Sequence, residues 1–170
     1  MTDNFDITRH TRGDIASTKG IVCQFLTFTV DNEEYGVDIM TVREIKGWTE
    51  TTRLPNSPEF MRGVMNLRGL IVPIFDLRIR FSRGNTNATP KHVIIILAVK
   101  ERNIGILVDA VSDILDVNED QIKPAPSSDT NVDAAFINGL ISISERMVVL
   151  LDIERLFDLR HIETLVQHAA

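Results

Sequence analysis

The residue types that most often perform enzymatic or metal chemistry are scattered along this sequence. The four histidines are His10, His92, His161 and His168, and no two of them have the spacing of a zinc site. The sequence has no glycine-rich phosphate loop and no G-x-S-x-G nucleophile motif. It therefore predicts no catalytic residue, no metal ligand and no cofactor.

The single cysteine, Cys23, rules out a disulfide within the chain. It lies in a run of alternating apolar residues, where a small buried thiol is expected. A reactive thiol needs a nearby cation or a helix N-terminus, and the local sequence supplies neither.

Two charged residues, Arg68 and Glu44, stand where they could form a recognition surface. Arg68 lies in the segment N-L-R-G between two short apolar runs, which predicts the tip of a β-hairpin with Gly69 at positive φ. Taken alone, this segment favours an ordinary solvated turn residue, since charged residues usually lie at the surface. In a closed barrel, Glu44 could pair with Arg68. An exposed pair adds only about 0–1 kcal/mol to stability, so its predicted role is to orient a binding surface.

Charge and hydropathy exclude several other classes of partner. A net charge of −6 argues against nucleic acid or an anionic membrane as the main partner. Arg78, Arg80 and Arg83 form a small basic cluster, but only Phe81 lies among them as an aromatic platform. No apolar segment is long enough to cross a bilayer, and the first residues have no signal-peptide core. We therefore predict a cytoplasmic protein without membrane insertion.

Short strands are predicted to position these residues. The apolar patterns predict strands at 21–30, 33–39, 92–99, 104–108, 136–143 and 147–153, and a hairpin within 63–76. Asp76 is predicted to cap a short helix at 77–81. An apolar residue at every third position predicts helical turns at 40–45 and 110–115. Residues 1–19 are predicted to be a mobile tail, and 154–170 a C-terminal helix and tail.

The order of these elements repeats. Residues 36–45 align without a gap on 105–114, and residues 63–81 align without a gap on 139–157. We interpret this as one all-β unit used twice, with each copy closed into a small barrel and a groove between the two. The barrels are predicted at about 24–90 and 91–153. Ser144 stands at the position of Arg68 in the second copy, so the unit itself does not require an arginine there.

Several ordered blocks of the sequence resemble the CheW family of bacterial chemotaxis coupling proteins. They are F-T-V-D-N-E-E-Y-G-V-D-I-M-T-V-R-E-I from position 28, R-L-P-N-S-P-E-F-M-R-G-V-M-N-L-R-G-L-I-V-P-I-F-D-L-R from 53, G-I-L-V-D-A-V-S-D-I-L from 105 and Q-I-K-P-A-P from 121. The resemblance implies a CheW-like domain at 20–160, built from two packed five-stranded SH3-like barrels with short helices and a C-terminal helix.

The same resemblance implies a function without catalysis. Family members are adaptors that join the cytoplasmic tip of methyl-accepting chemotaxis receptors to the regulatory domain of the histidine kinase CheA, at membrane receptor clusters. Receptor-contact positions of the family fall on Val42, Glu44, Gly63 and Arg68, in or beside the groove between the barrels.

The family's kinase-contact segment falls on Lys123, Ser127 and Ser128. This sequence departs from the family pattern there, because an arginine, an acidic residue and an aromatic residue are expected at those positions. The contact therefore lacks an aromatic anchor.

Two alternatives remain at this point. One is an enzyme or small-ligand barrel that uses the groove, which would need converging polar groups. The other is a nucleic-acid-binding double barrel, which would use the basic cluster.

Overall fold

The computed structural model describes residues 22–126 and 135–157, which form two five-stranded sheets with a few short helices. The strands are β1 (Val22–Val30), β2 (Glu33–Asp38), β3 (Val42–Gly47), β4 (Met61–Leu67), β5 (Leu70–Asp76), β6 (Val93–Val99), β7 (Arg102–Val108), β8 (Ala110–Asn118), β9 (Ile137–Ile143) and β10 (Arg146–Leu151). The α-helices are α1 (Leu77–Arg80) and α2 (Ile153–Leu156), and 3₁₀ helices occupy Ile39–Thr41 and Glu119–Gln121.

Some predicted features fall outside the described residues. These are the tail at 1–19, the candidate kinase-contact residues Ser127 and Ser128, and the C-terminal helix beyond position 157. The start of that predicted helix coincides with α2.

The two sheets have the same topology. Their strand orders are β8-β1-β2-β10-β9 and β3-β6-β7-β5-β4, and all pairings are antiparallel except β2 with β10 and β5 with β7. In neither sheet do the two outermost strands pair with each other. The predicted all-β fold of two five-stranded SH3-like barrels is thus confirmed, but the barrels are open, not closed as the sequence analysis expected.

The strand order corrects the predicted division of the chain at about residue 90. Strands β3 to β7 form one barrel from a single stretch, 42–108, which we call the continuous barrel. Strands β1 and β2 join β8 to β10 in the other, which we call the split barrel. Only the 3₁₀ helix Ile39–Thr41 and the single residue Asp109 link the two. At each of these links the chain passes from one sheet to the other. Each barrel therefore combines strands from both copies of the repeat.

The helical turns predicted at 40–45 and 110–115 are wrong for most of their length, because these segments form strands β3 and β8, each with a β-bulge. β3 bulges at Arg43, and β8 bulges at the equivalent Ser112. A bulge inserts one extra residue and shifts the alternation of side chains by one. Val42 and Ile45 therefore face the same side although they are three residues apart, which is the spacing that predicted a helix. The shared bulge supports the internal repeat.

The largest apolar core lies between the barrels and receives side chains from both. The central strand β6 shows how: Ile94 and Ile96 pack inside the continuous barrel, while Ile95 and Leu97 pack into the shared core. A strand buried on both faces reads as an unbroken apolar run, as predicted for 92–99. Phe75 and Phe157 stack across the boundary with ring centroids 4.3 Å apart.

The two α-helices begin at equivalent caps. The carboxylate of Asp76 accepts hydrogen bonds from the backbone N–H groups of Arg78 and Ile79, at 3.0 and 3.4 Å. Asp152 does the same for Arg155 at 3.2 Å. The predicted cap at Asp76 is thus confirmed, and the repeat extends to the second cap.

A pair of alanine variants tests this core. Ile95 and Ile45 face each other across β6 and β3, but Ile95 is fully buried and Ile45 is 46% exposed. We expect Ile95→Ala to lower the free energy of unfolding by about 2–5 kcal/mol, because it leaves a cavity. We expect Ile45→Ala to lower it by about 1 kcal/mol or less. Urea unfolding measures both, and equal losses would contradict the assigned core.

Candidate functional site

The β4–β5 hairpin presents Arg68 at its tip, as predicted. Arg68 and Gly69 are the two turn residues, with φ of 52° and 86°. Positive φ at both positions is typical of the type I′ turn, which matches the twist of paired strands. The side chain of Asn66 accepts a hydrogen bond from the Gly69 N–H at 2.8 Å and closes the turn. The arginine is therefore held on a short, well-defined turn.

Arg68 forms an ion pair with Glu44, with Nη1 and Oε2 3.1 Å apart. Glu44 lies on β3, and Arg68 directly follows β4. Strands β3 and β4 are the two outermost strands of the continuous barrel. The ion pair therefore bridges the opening of that barrel. Among the described residues, Glu44 Oε2 is shielded from solvent and accepts no hydrogen bond of good geometry, so Arg68 compensates its charge without fully satisfying it.

The equivalent opening of the split barrel lacks this pair. Its outermost strands are β8 and β9, where Asp113 corresponds to Glu44 and Ser144 to Arg68. Ser144 adopts nearly the same backbone angle, with φ of 54°, but carries no charge. Asp113 instead accepts a hydrogen bond from the Ile114 N–H. The same fold is thus built without the ion pair, so the pair is not a requirement of the fold.

Exposed apolar side chains occur on both segments that the ion pair joins. Met40 and Ile45 flank Glu44 along the chain, and Leu70 and Ile71 follow the hairpin tip; all four are classed as exposed. Val42 is half-buried and packs against the shared core. Since the ion pair brings β3 and the hairpin tip together, these exposed residues lie on the chain segments next to it.

Gly63, predicted as a contact residue, is buried beneath the backbone of Thr52. Its φ is 137°, and a Cβ atom there would collide with the Thr52 carbonyl oxygen. Its neighbour Val64 exchanges two backbone hydrogen bonds with Thr52, at 2.9 and 2.8 Å. Gly139 occupies the same place in the second copy, below Lys123. Gly63 is therefore buried, and its role in the structure is to allow the close approach of the Thr52 backbone.

Lys123, the predicted kinase-contact residue, lies on the split barrel. Its backbone exchanges two hydrogen bonds with Leu140, at 2.9 and 2.8 Å, as Thr52 does with Val64. Its exposed side chain donates a hydrogen bond from Nζ to the Asp120 carbonyl oxygen at 3.2 Å. The structure thus brings Val42, Glu44, Gly63 and Arg68 onto one barrel and Lys123 onto the other.

The basic cluster of the sequence analysis is not a free surface. Arg78 donates hydrogen bonds to the carboxylates of Asp109 and Asp31, at 2.6 and 3.1 Å. The hydrogen bond to Asp109 raises the pKa of Arg78, against a smaller opposing effect of burial. Sequence reasoning missed Asp31 and Asp109, since both are ordinary turn residues and are far from Arg78 along the chain.

The described residues contain no cluster of side chains suited to a metal ion and no helix long and apolar enough to span a membrane. A cleft of about 570 Å³ lies between the segments 53–62 and 85–89. Two arginines line it, Arg53 and Arg62, and Arg62 donates a hydrogen bond to the Thr86 carbonyl oxygen at 2.9 Å and lies over the ring of Trp48.

Two open SH3-like barrels around one shared core, with an exposed apolar opening on one of them, define a protein-binding module. A family model described as the CheW-like domain matches residues 24–161. The chain is 46% identical over 133 residues to a chemotaxis protein CheW of Klebsiella aerogenes, covering 78% of this chain and 80% of that protein. It is 42% identical over 134 residues to a probable chemotaxis protein CheW of Rhizobium etli, covering 79% and 86%.

A solved structure agrees with these relatives. The crystal structure of the scaffolding protein TtCheW from Thermoanaerobacter tengcongensis superposes with a TM-score of 0.73 at 33% identity, covering 81% of this chain and 88% of that one. The chain belongs to the CheW family, as the sequence motifs indicated, and it is a chemotaxis scaffold or adaptor protein.

Two glycine variants test the structural role of Gly63. We expect Gly63→Ala to lower the free energy of unfolding by at least about 2 kcal/mol, because its backbone angle disfavours a side chain and the Thr52 backbone blocks the Cβ. Gly69→Ala is the control, since its φ is also positive but an added Cβ atom would have no heavy atom within 4 Å apart from those of its chain neighbours. It should cost only about 1 kcal/mol. Similar losses in urea unfolding would show that the Thr52 contact does not matter.

Proposed function

We propose that this protein is a non-enzymatic adaptor that couples methyl-accepting chemotaxis receptors to the histidine kinase CheA and places the kinase under receptor control. It works in the cytoplasm and is recruited to receptor clusters at the membrane. The observation that carries the proposal is the Arg68–Glu44 ion pair, which spans the opening of one barrel and is absent from the equivalent opening of the other.

The receptor-binding surface is assigned to the continuous barrel. Its opening combines exposed apolar side chains with an oriented cation, a composition suited to the apolar face of a helix with charges at its margin. Glu44 holds the long Arg68 side chain in one direction, which lowers the entropy lost when a partner binds. Val42 supports this surface from the core side, and Gly63 sets the path of the adjoining strand.

The kinase-binding surface is assigned to the split barrel, around Lys123 and the following residues Ser127 and Ser128. Lys123 supplies an exposed cation on a segment that is hydrogen-bonded to β9. The two candidate surfaces thereby fall on different barrels. This separation suits an adaptor, because one partner need not displace the other.

The competing functions have less support in the described residues. A nucleic-acid-binding surface would need free basic side chains, but Arg78 and Arg83 are paired with carboxylates. An enzyme would need converging reactive groups, whereas the side chains lining the polar cleft include no histidine or cysteine.

Removal of the Arg68 side chain tests the receptor surface. We expect Arg68→Ala to weaken binding of a receptor cytoplasmic fragment by about tenfold, or about 1.4 kcal/mol. Its stability should change by no more than about 1 kcal/mol, because the Arg68 side chain is 76% exposed and its removal lets water reach the Glu44 carboxylate. Arg53→Ala, which removes an exposed arginine elsewhere on the same barrel, is the matched control and should bind normally. Isothermal titration calorimetry measures both, and full affinity in Arg68→Ala would reject this residue's role.

Reversal of the charge at Lys123 tests the kinase surface. We expect Lys123→Glu to weaken binding of the CheA regulatory domain by about tenfold, because a like-charge contact would replace a favourable one. Binding of the receptor fragment should be unchanged, since Lys123 lies on the other barrel. The same calorimetry with each partner separately measures the effect, and a loss of both affinities would contradict separate surfaces.

The proposal as a whole is tested by reconstitution. Receptor fragment and CheA are combined with and without this protein, and kinase autophosphorylation is followed. We expect receptor-dependent kinase activity only when the protein is present. Receptor control of the kinase without it, or no control with it, would reject the proposed function.

A further inference from the structure

The arginines that follow β5 all reach across the boundary between the barrels. Arg78 belongs to α1 in the continuous barrel, and its guanidinium forks between two carboxylates. One is Asp31, in the β1–β2 turn of the split barrel, and the other is Asp109, the single residue that links β7 to β8. The fork therefore joins one barrel, the other barrel and the link between them.

Arg83 and Arg80 add two further contacts of the same kind. Arg83 Nη2 lies 3.1 Å from Glu33 Oε1, and Arg83 Nη1 lies 3.7 Å from Asp31 Oδ2. Arg80 donates a hydrogen bond from Nε to the Leu156 carbonyl oxygen in α2 at 2.7 Å, and its guanidinium lies 4.5 Å from the ring centroid of Phe136. We call Arg78, Arg80 and Arg83 the arginine latch, since each of the three contacts the split barrel or its link.

The repeat provides an equivalent contact between the barrels with reversed charges. Lys100, in the β6–β7 turn, corresponds to Asp31, and Glu154, in α2, corresponds to Arg78. Lys100 Nζ and Glu154 Oε1 lie 2.5 Å apart. Each barrel thus contacts the other through a helix and a hairpin turn, with the positive and negative residues exchanged between the two contacts.

These charged contacts are directional, whereas the apolar contacts of the shared core are not. Apolar burial is strong but non-directional, so it holds the barrels together without fixing their angle. A guanidinium that donates to two carboxylates is directional, because its donors form a rigid planar fork. The Arg78 fork is also partly shielded, with 22% of the Arg78 side chain and 26% of the Asp109 side chain exposed. It is therefore screened less than a surface ion pair.

We infer that the arginine latch, with Arg78 as its central positioning residue, fixes the angle between the two barrels. The functional consequence of this inference rests on the proposed function. The latch holds the receptor-binding and kinase-binding surfaces at a defined relative orientation. Affinity for each partner belongs to the separate surfaces. Transmission from receptor to kinase depends on the latch.

The angle can be measured in the protein alone, without either partner. Spin labels are attached at Lys91→Cys on the continuous barrel and Glu119→Cys on the split barrel, both exposed positions, in a Cys23→Ser background. Double electron–electron resonance then gives the distance distribution between the labels. Arg78→Ala removes the fork, and Arg78→Lys keeps the charge without the planar geometry. Arg146→Ala is the control, because Arg146 pairs with Glu34 inside the split barrel, at 3.5 Å.

We expect the distance distribution to broaden in Arg78→Ala, to broaden less in Arg78→Lys and to stay unchanged in Arg146→Ala. An unchanged distribution in both folded Arg78 variants would overturn the inference, whatever the partners do. Because this readout needs no partner, it stands even if wild-type protein fails to couple receptor and kinase, a result that would reject the proposed function alone.

The second readout uses the unlabelled variants in the reconstituted assembly. We expect Arg78→Ala to bind receptor fragment and CheA separately with wild-type affinity, while receptor control of the kinase falls by about fivefold or more. A broadened distance distribution with normal receptor control would show that the angle does not matter for coupling, and would overturn the functional half of the inference.

Discussion

The parallel pairing of strands from opposite halves of the chain is the constraint on which the rest of the structure depends. β10 pairs with β2 at Leu150 and Gly36, and β5 pairs with β7 at Ile74 and Gly105. A glycine at each junction leaves space for the large side chain of the facing strand. Without these two pairings, neither sheet would have five strands, and the core between the sheets would lose side chains from both copies of the repeat.

This exchange of strands makes the two barrels similar in backbone while their surfaces remain independent. The bulges in β3 and β8, the caps at Asp76 and Asp152 and the buried glycines at 63 and 139 recur because the backbone needs them. Arg68 and Glu44 have no charged counterpart pair in the second copy. Function is assigned where the copies differ, since positions that the fold leaves free can be used for binding.

An adaptor needs two surfaces held in a fixed relation more than it needs any single strong contact. The apolar core, whose aromatic rings stack across the boundary, supplies cohesion. The charged contacts at the margins of this core, as we infer above, fix the relative orientation of the two barrels. The basic residues that the sequence offered as a possible nucleic-acid surface instead contact carboxylates and a backbone carbonyl group within the molecule.

The sequence by itself determined the all-β class, most strands, the hairpin with Arg68 at its tip, the helix cap at Asp76, the internal repeat and the family. These depend on local patterns such as alternation, turn residues and spacing, which the chain shows directly. It could also suggest the Arg68–Glu44 pair, because the repeat and motifs singled out both residues.

Only the tertiary structure decided which strands share a sheet, because a repeat defines a unit without saying which copy completes it. It also revealed β3 and β8, whose bulges imitate a helical period, and it showed that Gly63 is buried beneath Thr52. Finally, it paired Arg78 with Asp31 and Asp109. Such contacts join residues far apart in the chain, and their geometry exists only once the two barrels have packed.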